Sequence, residues 1–466
     1  MLKNLRFKVR QNRQHRQLRA LCLASLLSVW TSACAEVGLS AAQRLEPLNL
    51  SAVDIRPRWE SAWIQEMVAN DPAARDIVSN YVAGLASAGY EVDRQGVWVS
   101  VGSYPVADNQ GTQPLPAASI TKVATTLAAL ATWDADHRFE TFVGWQGQFD
   151  ASSGVVVGDL VVEGSGDPLF VWEEAIALGN ALQAIGVRRV TGDLIVANGF
   201  NMNFETSTRK SGELLKQALN ADSWDYEVDV AYNNLGAGTA TPNIQIDGSV
   251  QTDSGSRKNR VSGWLLRHDS LPMVAILKAM NIYSNNPMAE QMASIVGGPQ
   301  SIVSKVEAVA GVSAGEIRLI NGSGLGEANQ ISPKASVLML RKIHDILQSK
   351  GYTISDIFPV TGADGGTIVD RSLPANSVVK TGSLAVVSAL AGVLPTRDKG
   401  LVWFSLINYG AGLDALRARQ DRIVSNIEQQ WGRAPSIPPE LKTTVVIGQP
   451  PYRFGSPERN IPVSQT

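Results

Sequence analysis

The sequence predicts an α+β protein: an antiparallel sheet sandwiched with helices and interrupted by a large, mostly β inserted domain. Helical periodicity opens the chain, a strand meander followed by a helix closes it, and short strands and turns lie between. At 466 residues the chain exceeds the size at which a single hydrophobic core stops growing, so two domains plus accessory segments are expected.

From position 56 to 88 the apolar residues Trp59, Trp63, Ile64, Met67, Ile77, Tyr81, Val82 and Leu85 fall at helical spacing. The interruption at Asn70-Asp71-Pro72 divides them into two helices. Val97 to Val101 reads as a strand, and a helix follows from Ala117 to about Trp133, with Ile120, Val123, Leu127 and Leu130 as its buried stripe. From Phe139 to Gly263 the texture changes to short strands and turns. Within it Gly158-Asp159-Leu160-Val161-Val162 and Gly192-Asp193-Leu194-Ile195-Val196 echo each other 34 positions apart, with a helical segment from Trp172 to Ile185 between them. Two echoes give a pair of similar strands rather than a solenoid, which needs at least three repeats.

Helical character returns from Val274 to Ile295 and from Ser336 to Leu347. Three apolar segments, Val378 to Val387, Ala389 to Leu394 and Leu401 to Ile407, are short enough to be neighbouring antiparallel strands. A final helix carries Leu413, Leu416, Ile423, Val424, Ile427 and Trp431 on one side and ends at Gly432. The boundaries that follow are a leader at 1–35, a catalytic body from 36–138 and 264–434, an inserted domain at 139–263 and a Pro-rich tail at 435–466. The tail's composition predicts loose order.

The leader carries Lys3, Arg6, Lys8, Arg10, Arg13, Arg16 and Arg19 without an acidic residue, then a short apolar run from Leu21 to Leu27 and small residues at Ala33 and Ala35. This is the layout of a secretory signal cleaved after Ala35, placing the mature protein in the periplasm or cell envelope. The apolar run is too short to span a bilayer, so membrane association is at most peripheral. Cys34 after Ser32-Ala33 is the one hint of lipoprotein processing. Removing seven basic residues leaves 34 against 43 acidic ones, a formal charge of −9, which argues against nucleic acid as partner. Both cysteines, Cys22 and Cys34, fall in the leader, so the mature chain has no disulfide and no thiol metal site.

Serine becomes a nucleophile when a base takes its proton, and lysine can be that base once burial lowers its pKa. In Ser119-Ile120-Thr121-Lys122 the two groups stand at i and i+3 on a helix and share a face. The pattern alone is weak, since Ser207-Thr208-Arg209-Lys210 and Ser377-Val378-Val379-Lys380 repeat it. Position distinguishes Ser119, which opens an apolar helix behind Pro116 so that its N–H lies in the positive first turn. Ser284-Asn285-Asn286 and Lys380-Thr381-Gly382 each occur once, in the order after SxxK found in penicillin-binding proteins and serine β-lactamases.

The chain resembles the low-molecular-mass D-alanyl-D-alanine carboxypeptidases of the penicillin-binding protein 4 type, peptidase family S13, over nearly all of its mature length. Besides Pro116 to Lys122, the segment Gly164-Ser165-Gly166-Asp167-Pro168 resembles a recurring G-x-G-D-P segment of that group. Asn321-Gly322-Ser323-Gly324-Leu325 resembles its D-G-S-G-L turn, and Gly366-Thr367 with Val379 to Leu384 its C-terminal strand motif. The resemblance implies a penicillin-binding/serine β-lactamase-like fold acting on peptidoglycan stem peptides that end in D-Ala-D-Ala, without a cofactor or metal and with β-lactams as covalent inhibitors. It implies Ser119 as nucleophile, Lys122 as its base, Ser284 as a proton relay and Asn286 as a holder of Lys122 and the substrate amide. Lys380, Thr381, Gly382 and Ser383 would bind substrate, with the N–H groups of Ser119 and Ser383 forming the oxyanion hole. Asn321 in place of Asp, and Gly326-Glu327 in place of a polar and basic pair, depart from the family pattern.

Other chemistries fit less well. A Ser-His-Asp hydrolase would draw on His137, His268 or His344, and the one G-x-S-x-G match, Gly311 to Gly315, follows a helical pattern and precedes a strand, the reverse of a nucleophile elbow. H-E-x-x-H is absent. A serine β-lactamase, or a catalytically silent peptidoglycan-binding scaffold, remain the alternative readings.

Overall fold

A computed structural model describes residues 71–197, 199–253 and 261–463. The leader, its cleavage site, Cys34 and the first expected helix lie outside them. Helix α1 (Pro72–Ser87) begins where Asp71 accepts hydrogen bonds from the N–H groups of Ala73 and Ala74 and Pro72 opens the first turn. Strands β1 (Gln95–Val101) and β2 (Tyr104–Asn109) follow, then the short β3 (Leu115–Pro116). A 3₁₀ turn, Ala118–Ile120, leads into α2 (Thr121–Leu130), every residue of which is buried.

The insertion contributes β4 (Glu140–Asp150), β5 (Val155–Gly164), α3 (Trp172–Ala184), β6 (Arg189–Val190) and β7 (Leu194–Ala197). It continues with α4 (Thr208–Ala218), α5 (Tyr226–Asn233), β8 (Gln245–Ile246), β9 (Val250–Asp253) and β10 (Gly263–Asp269). The second half of the body supplies α6 (Met273–Ile282), α7 (Asn286–Ile295), α8 (Pro299–Ala310), β11 (Ile317–Arg318), β12 (Gln330–Ile331) and α9 (Pro333–Gln348). Strands β13 (Val378–Leu384), β14 (Val387–Thr396) and β15 (Gly400–Tyr409) then precede α10 (Leu413–Trp431). A last strand, β16 (Asn460–Pro462), lies in the tail. Among the described residues no helix is long and apolar enough to cross a membrane.

The expected meander exists, and from Val378 on it completes a sheet begun far earlier in the chain, at Gln95. The order is β13-β14-β15-β1-β2, with β1 antiparallel to β15 in a register that sets Gln95 opposite Asn408 and Val101 opposite Val402. Alternate side chains go to opposite faces. Val379, Leu390, Val402 and Phe404 pack with α1 and α10 residues such as Val78, Ile423 and Trp431. Val378, Ala389, Ala391, Val393 and Trp403 pack on the other side with Ile120, Leu127, Leu340 and Ile343. Covered on both faces, β14 is buried along its whole length.

The insertion's sheet is built on the β4–β5 hairpin, and helices α3, α4 and α5 pack their apolar side chains onto it. The two echoed segments are parallel neighbours, with Leu160 opposite Leu194 and Val162 opposite Val196. A third rung follows them. Gly248 N–H donates to Gly192 O as Gly192 N–H donates to Gly158 O, and Asp193 accepts from Ser249 N–H as Asp159 accepts from Asp193 N–H. Its sequence, Gly248-Ser249-Val250, shares only the glycine with the other two, so the ladder reads as two echoes. β10 pairs along β4, so this sheet runs past Gly263 to Asp269.

The described part of the tail, as far as Val463, is ordered rather than loose. Asp356 accepts hydrogen bonds from the N–H groups of Thr444 and Val445, and β16 extends the insertion's sheet by pairing with β10. Arg459 makes a buried ion pair with Glu174 of α3, which also accepts from Gly455 N–H. Composition misses this because the tail's order comes from contacts with distant residues.

Arg459→Met should leave the Glu174 carboxylate buried without its cation. Removing one member of a buried pair costs about 3 kcal/mol, so the urea unfolding midpoint should fall clearly, whereas Arg453→Met should change it little.

Candidate active site

Ser119 sits in the 3₁₀ turn ahead of α2, fixed by a strained neighbour: Ala118 is fully buried with φ of +46°. Non-glycine residues in the left-handed region cost free energy and persist where surrounding structure imposes them. Two close backbone approaches impose this one. A Cβ on Gly324 would lie 1.9 Å from Ala118 O, and one on Gly382 would lie 2.9 Å from Ser119 N. The Asn321–Leu325 turn and strand β13 can therefore close on the nucleophile turn only because both positions are glycine.

Lys122, one turn along and fully buried, meets three oxygens from three elements. Its Nζ lies 3.1 Å from Ser119 Oγ, 2.7 Å from Asn286 Oδ1 and 2.8 Å from Ser323 O. Burial pushes its pKa down to about 7, partly opposed by the Glu290 carboxylate. Glu290 holds the turn that carries Ser323, accepting hydrogen bonds from the N–H groups of Gly322 and Ser323 at 3.1 and 2.9 Å.

The helical stretch from Val274 to Ile295 divides into α6 and α7 at Ser284-Asn285-Asn286-Pro287, a sequence suited to a turn or helix start, and the break presents the S-x-N motif. Ser284 has φ of +52°, and Asn285 caps α7 by accepting from Met288 N–H at 2.9 Å. The middle residue of the motif thus builds the bend, while Asn286 reaches Lys122 and Ser284 faces the cleft. Lys380 Nζ, also fully buried, donates to Ser284 Oγ at 2.9 Å and to Thr381 O at 2.8 Å. Burial and the nearby Lys122 charge hold its pKa well below the ordinary lysine value.

Ser119, Ser284, Thr381, Gly382 and Ser383 line one cleft of about 920 Å³. Behind it stand Lys122, Asn286 and Lys380, so all eight residues expected from the sequence meet here. Three further residues join them. Thr367 accepts from Thr381 Oγ1 at 2.8 Å, Arg417 of α10 donates to Ser383 Oγ at 3.0 Å, and Glu290 acts from behind. Thr367 was marked by the motif around it. Arg417 and Glu290 left no signal, since each reads as a solvated charge on a helix.

The competing patterns find structural uses. Ser207 caps α4 by accepting from Lys210 N–H, and Ser377 is buried with its hydroxyl donated to Pro374 O. Gly311 ends α8 in the left-handed conformation, with β11 after it. His137 stacks on Trp133, His268 pairs with Asn460, and His344 packs against Trp403. Asp167 is buried with its Oδ1 accepting from Leu169 N–H, and burial pushes its pKa up to about 7.

The family model of the D-Ala-D-Ala carboxypeptidase 3 (S13) family matches residues 94–208 and 231–430. The chain belongs to this family. Among relatives of this S13 chain, the carboxypeptidase DacB of Mycolicibacterium smegmatis is 26% identical over 351 residues, covering 66% of this chain and 75% of that protein. The D-alanyl-D-alanine carboxypeptidase of Actinomadura sp. is 25% identical over 480 residues, covering 79% and 84%. The fold is shared with Bd3459, a predatory peptidoglycan endopeptidase from Bdellovibrio bacteriovorus, at TM-score 0.66 and 19% identity over 79% of this chain and 98% of that one. Penicillin binding protein 4 of Haemophilus influenzae matches at TM-score 0.57 and 18% identity over 76% and 99%.

Glu290→Gln removes the charge that partly restores the Lys122 pKa while keeping one of the two acceptors that hold the turn. The acidic limb of the acylation rate against pH should move to lower pH, with the plateau rate reduced by less than about tenfold. An unmoved limb would show that Glu290 serves the turn alone.

Proposed function

We propose that this S13 chain is an exported serine-type D-Ala-D-Ala peptidase of the periplasm or cell envelope. It cleaves the terminal bond of peptidoglycan stem peptides through an acyl-enzyme on Ser119, as a carboxypeptidase and, where the leaving residue is cross-linked, as an endopeptidase. The observation that carries this reading is the neighbourhood of Lys122 Nζ. A neutral amine has two hydrogens and one lone pair. The hydrogens match the acceptors Asn286 Oδ1 and Ser323 O, and the lone pair then faces Ser119 Oγ at 3.1 Å.

In this mechanism Lys122 takes the Ser119 proton as Oγ attacks the carbonyl carbon between the two D-alanines. The N–H groups of Ser119 and Ser383 receive the oxyanion, and one such donor is worth about 3 kcal/mol. The closeness of Gly382 to Ser119 N supports this pairing across the cleft. Ser284, whose Oγ accepts from Lys380, passes a proton to the departing amine as the C–N bond breaks. Thr381 and Ser383 hydroxyls hold the terminal carboxylate, with Lys380 adding positive potential. Water then hydrolyses the ester and regenerates Ser119.

Incubation with fluorescent penicillin should label the protein stably, and Ser119→Ala should abolish the label. Rapid turnover of the label would favour a β-lactamase, and no labelling a silent scaffold. Because the active form of Lys122 is the neutral one, acylation should rise with pH through about 7 and level off above it. At pH 5 it should be about a hundredfold below the plateau. A rate still climbing at pH 9 would contradict the assignment.

A further inference from the structure

Lys278 is fully buried, as Lys122 and Lys380 are, yet it touches none of the reacting groups. It stands on α6, one turn before that helix ends at Ile282. Its Nζ lies 2.7 Å from Ser355 O, 3.0 Å from Phe358 O and 2.6 Å from Asp364 Oδ2. Three acceptors match the three hydrogens of an ammonium group, and one of them is a carboxylate. Burial lowers the Lys278 pKa, and the Asp364 carboxylate opposes that shift. Lys122 has no such anion in contact and can serve as a base, whereas Lys278 is held as a charged anchor.

What it anchors is the strap that carries Thr367. From Ser355 onward this segment runs beside strand β13: Val379 N–H donates to Pro359 O, and Thr361 N–H donates to Ser377 O. Val360 pairs antiparallel with Val378. The Asp364 oxygen that receives Lys278 also accepts from Val360 N–H at 2.8 Å, closing the turn between them. Beyond it Gly366, at φ of +74°, passes so close to the end of α6 that a Cβ would lie 2.2 Å from Ile282 O. Thr367 then meets Thr381 of β13, their hydroxyl oxygens 2.8 Å apart.

Ser284 hangs from the same end of α6, and its Oγ must stay within reach of Lys380 on β13, at 2.9 Å. Asn281 holds α6 to the nucleophile side, its Nδ2 donating to Thr126 Oγ1 of α2 at 3.0 Å. Lys278 ties the helix to the strap beside β13. The ion pair thereby sets how far Ser284 stands from the strand.

We propose that the Lys278–Asp364 pair positions Ser284 for proton transfer to the leaving amine by fixing the separation of α6 from β13. Neither residue lines the cleft, so both are positioning residues that act through Ser284. The inference rests on the serine peptidase reading, in which Ser284 delivers that proton. Separation is the sensitive variable, since a misplacement of about 1 Å can cost about a hundredfold in rate.

The test compares two leaving groups on one acyl group. One substrate is a stem peptide ending in D-Ala-D-Ala. The other is its thioester analogue, with sulfur replacing the nitrogen of the leaving residue and the terminal carboxylate kept. An amine needs a proton to depart, and a thiolate leaves without one. With kcat/KM of the full-length protein measured on both substrates, their ratio on one sample cancels any loss of folded protein. Asp364→Asn should lower the value on the peptide about tenfold and on the thioester less than about twofold. Ser284→Ala should show the same selectivity more strongly. Lys278→Met/Asp364→Asn, which leaves no unpaired charge buried, should repeat the result of Asp364→Asn and replaces it should that variant fail to fold. An unchanged ratio in the folded variants, with Ser284→Ala still selective, would overturn the positioning role and leave the peptidase standing. A wild-type protein that cleaves neither substrate and takes no penicillin label would overturn the peptidase reading itself.

Discussion

A lysine side chain held out of water among neutral oxygens is the constraint around which the rest of this molecule is arranged. Lys122 is fully buried, and its nearest partners are a hydroxyl, a side-chain amide and a main-chain carbonyl. None of them carries a full charge, so burial is not offset by a salt bridge and the neutral amine gains on the ammonium. The nearest anion, Glu290, acts from the far side of the turn it holds and restores only part of the loss. A carboxylate directly against Nζ would fix the charge and remove the base.

Holding that arrangement draws on distant parts of the chain. The partners of Lys122 lie 164 and 201 positions further along, on α7 and on the Asn321–Leu325 turn. Each part approaches through a distortion: a positive φ at Ala118, a second at Ser284, and glycines at 324 and 382 where no Cβ fits. Such strain, and a second buried lysine at position 380, oppose stability. They persist because the five-stranded sheet, covered on both faces, fixes β13 from one side while α2, buried throughout, fixes Ser119 from the other.

Much of this was legible in the sequence. Apolar spacing placed α1, α9 and α10, and the three-strand meander was readable because each segment is short, apolar and bounded by turns. The motif residues were recognisable together where SxxK alone was not, since Ser207 and Ser377 share the pattern and serve as a cap and a buried loop bond. What escaped depends on contacts between remote residues. The order of the tail comes from Arg459 meeting Glu174 and from Asp356 gathering Thr444 and Val445. Glu290 and Arg417 look like surface charges until the fold turns them toward Ser323 and Ser383.

The site follows from a single physical cause, the desolvation of one amine, and that state can be observed without any substrate. Direct NMR titration of the Lys122 side chain in the free protein, assigned by comparison with Lys122→Arg, reads the protonation of Nζ itself. The account predicts a midpoint near 7, with the neutral amine predominating above it. A midpoint at the ordinary lysine value, near 10.4, would show Lys122 charged throughout the working range and would contradict its role as the base for Ser119.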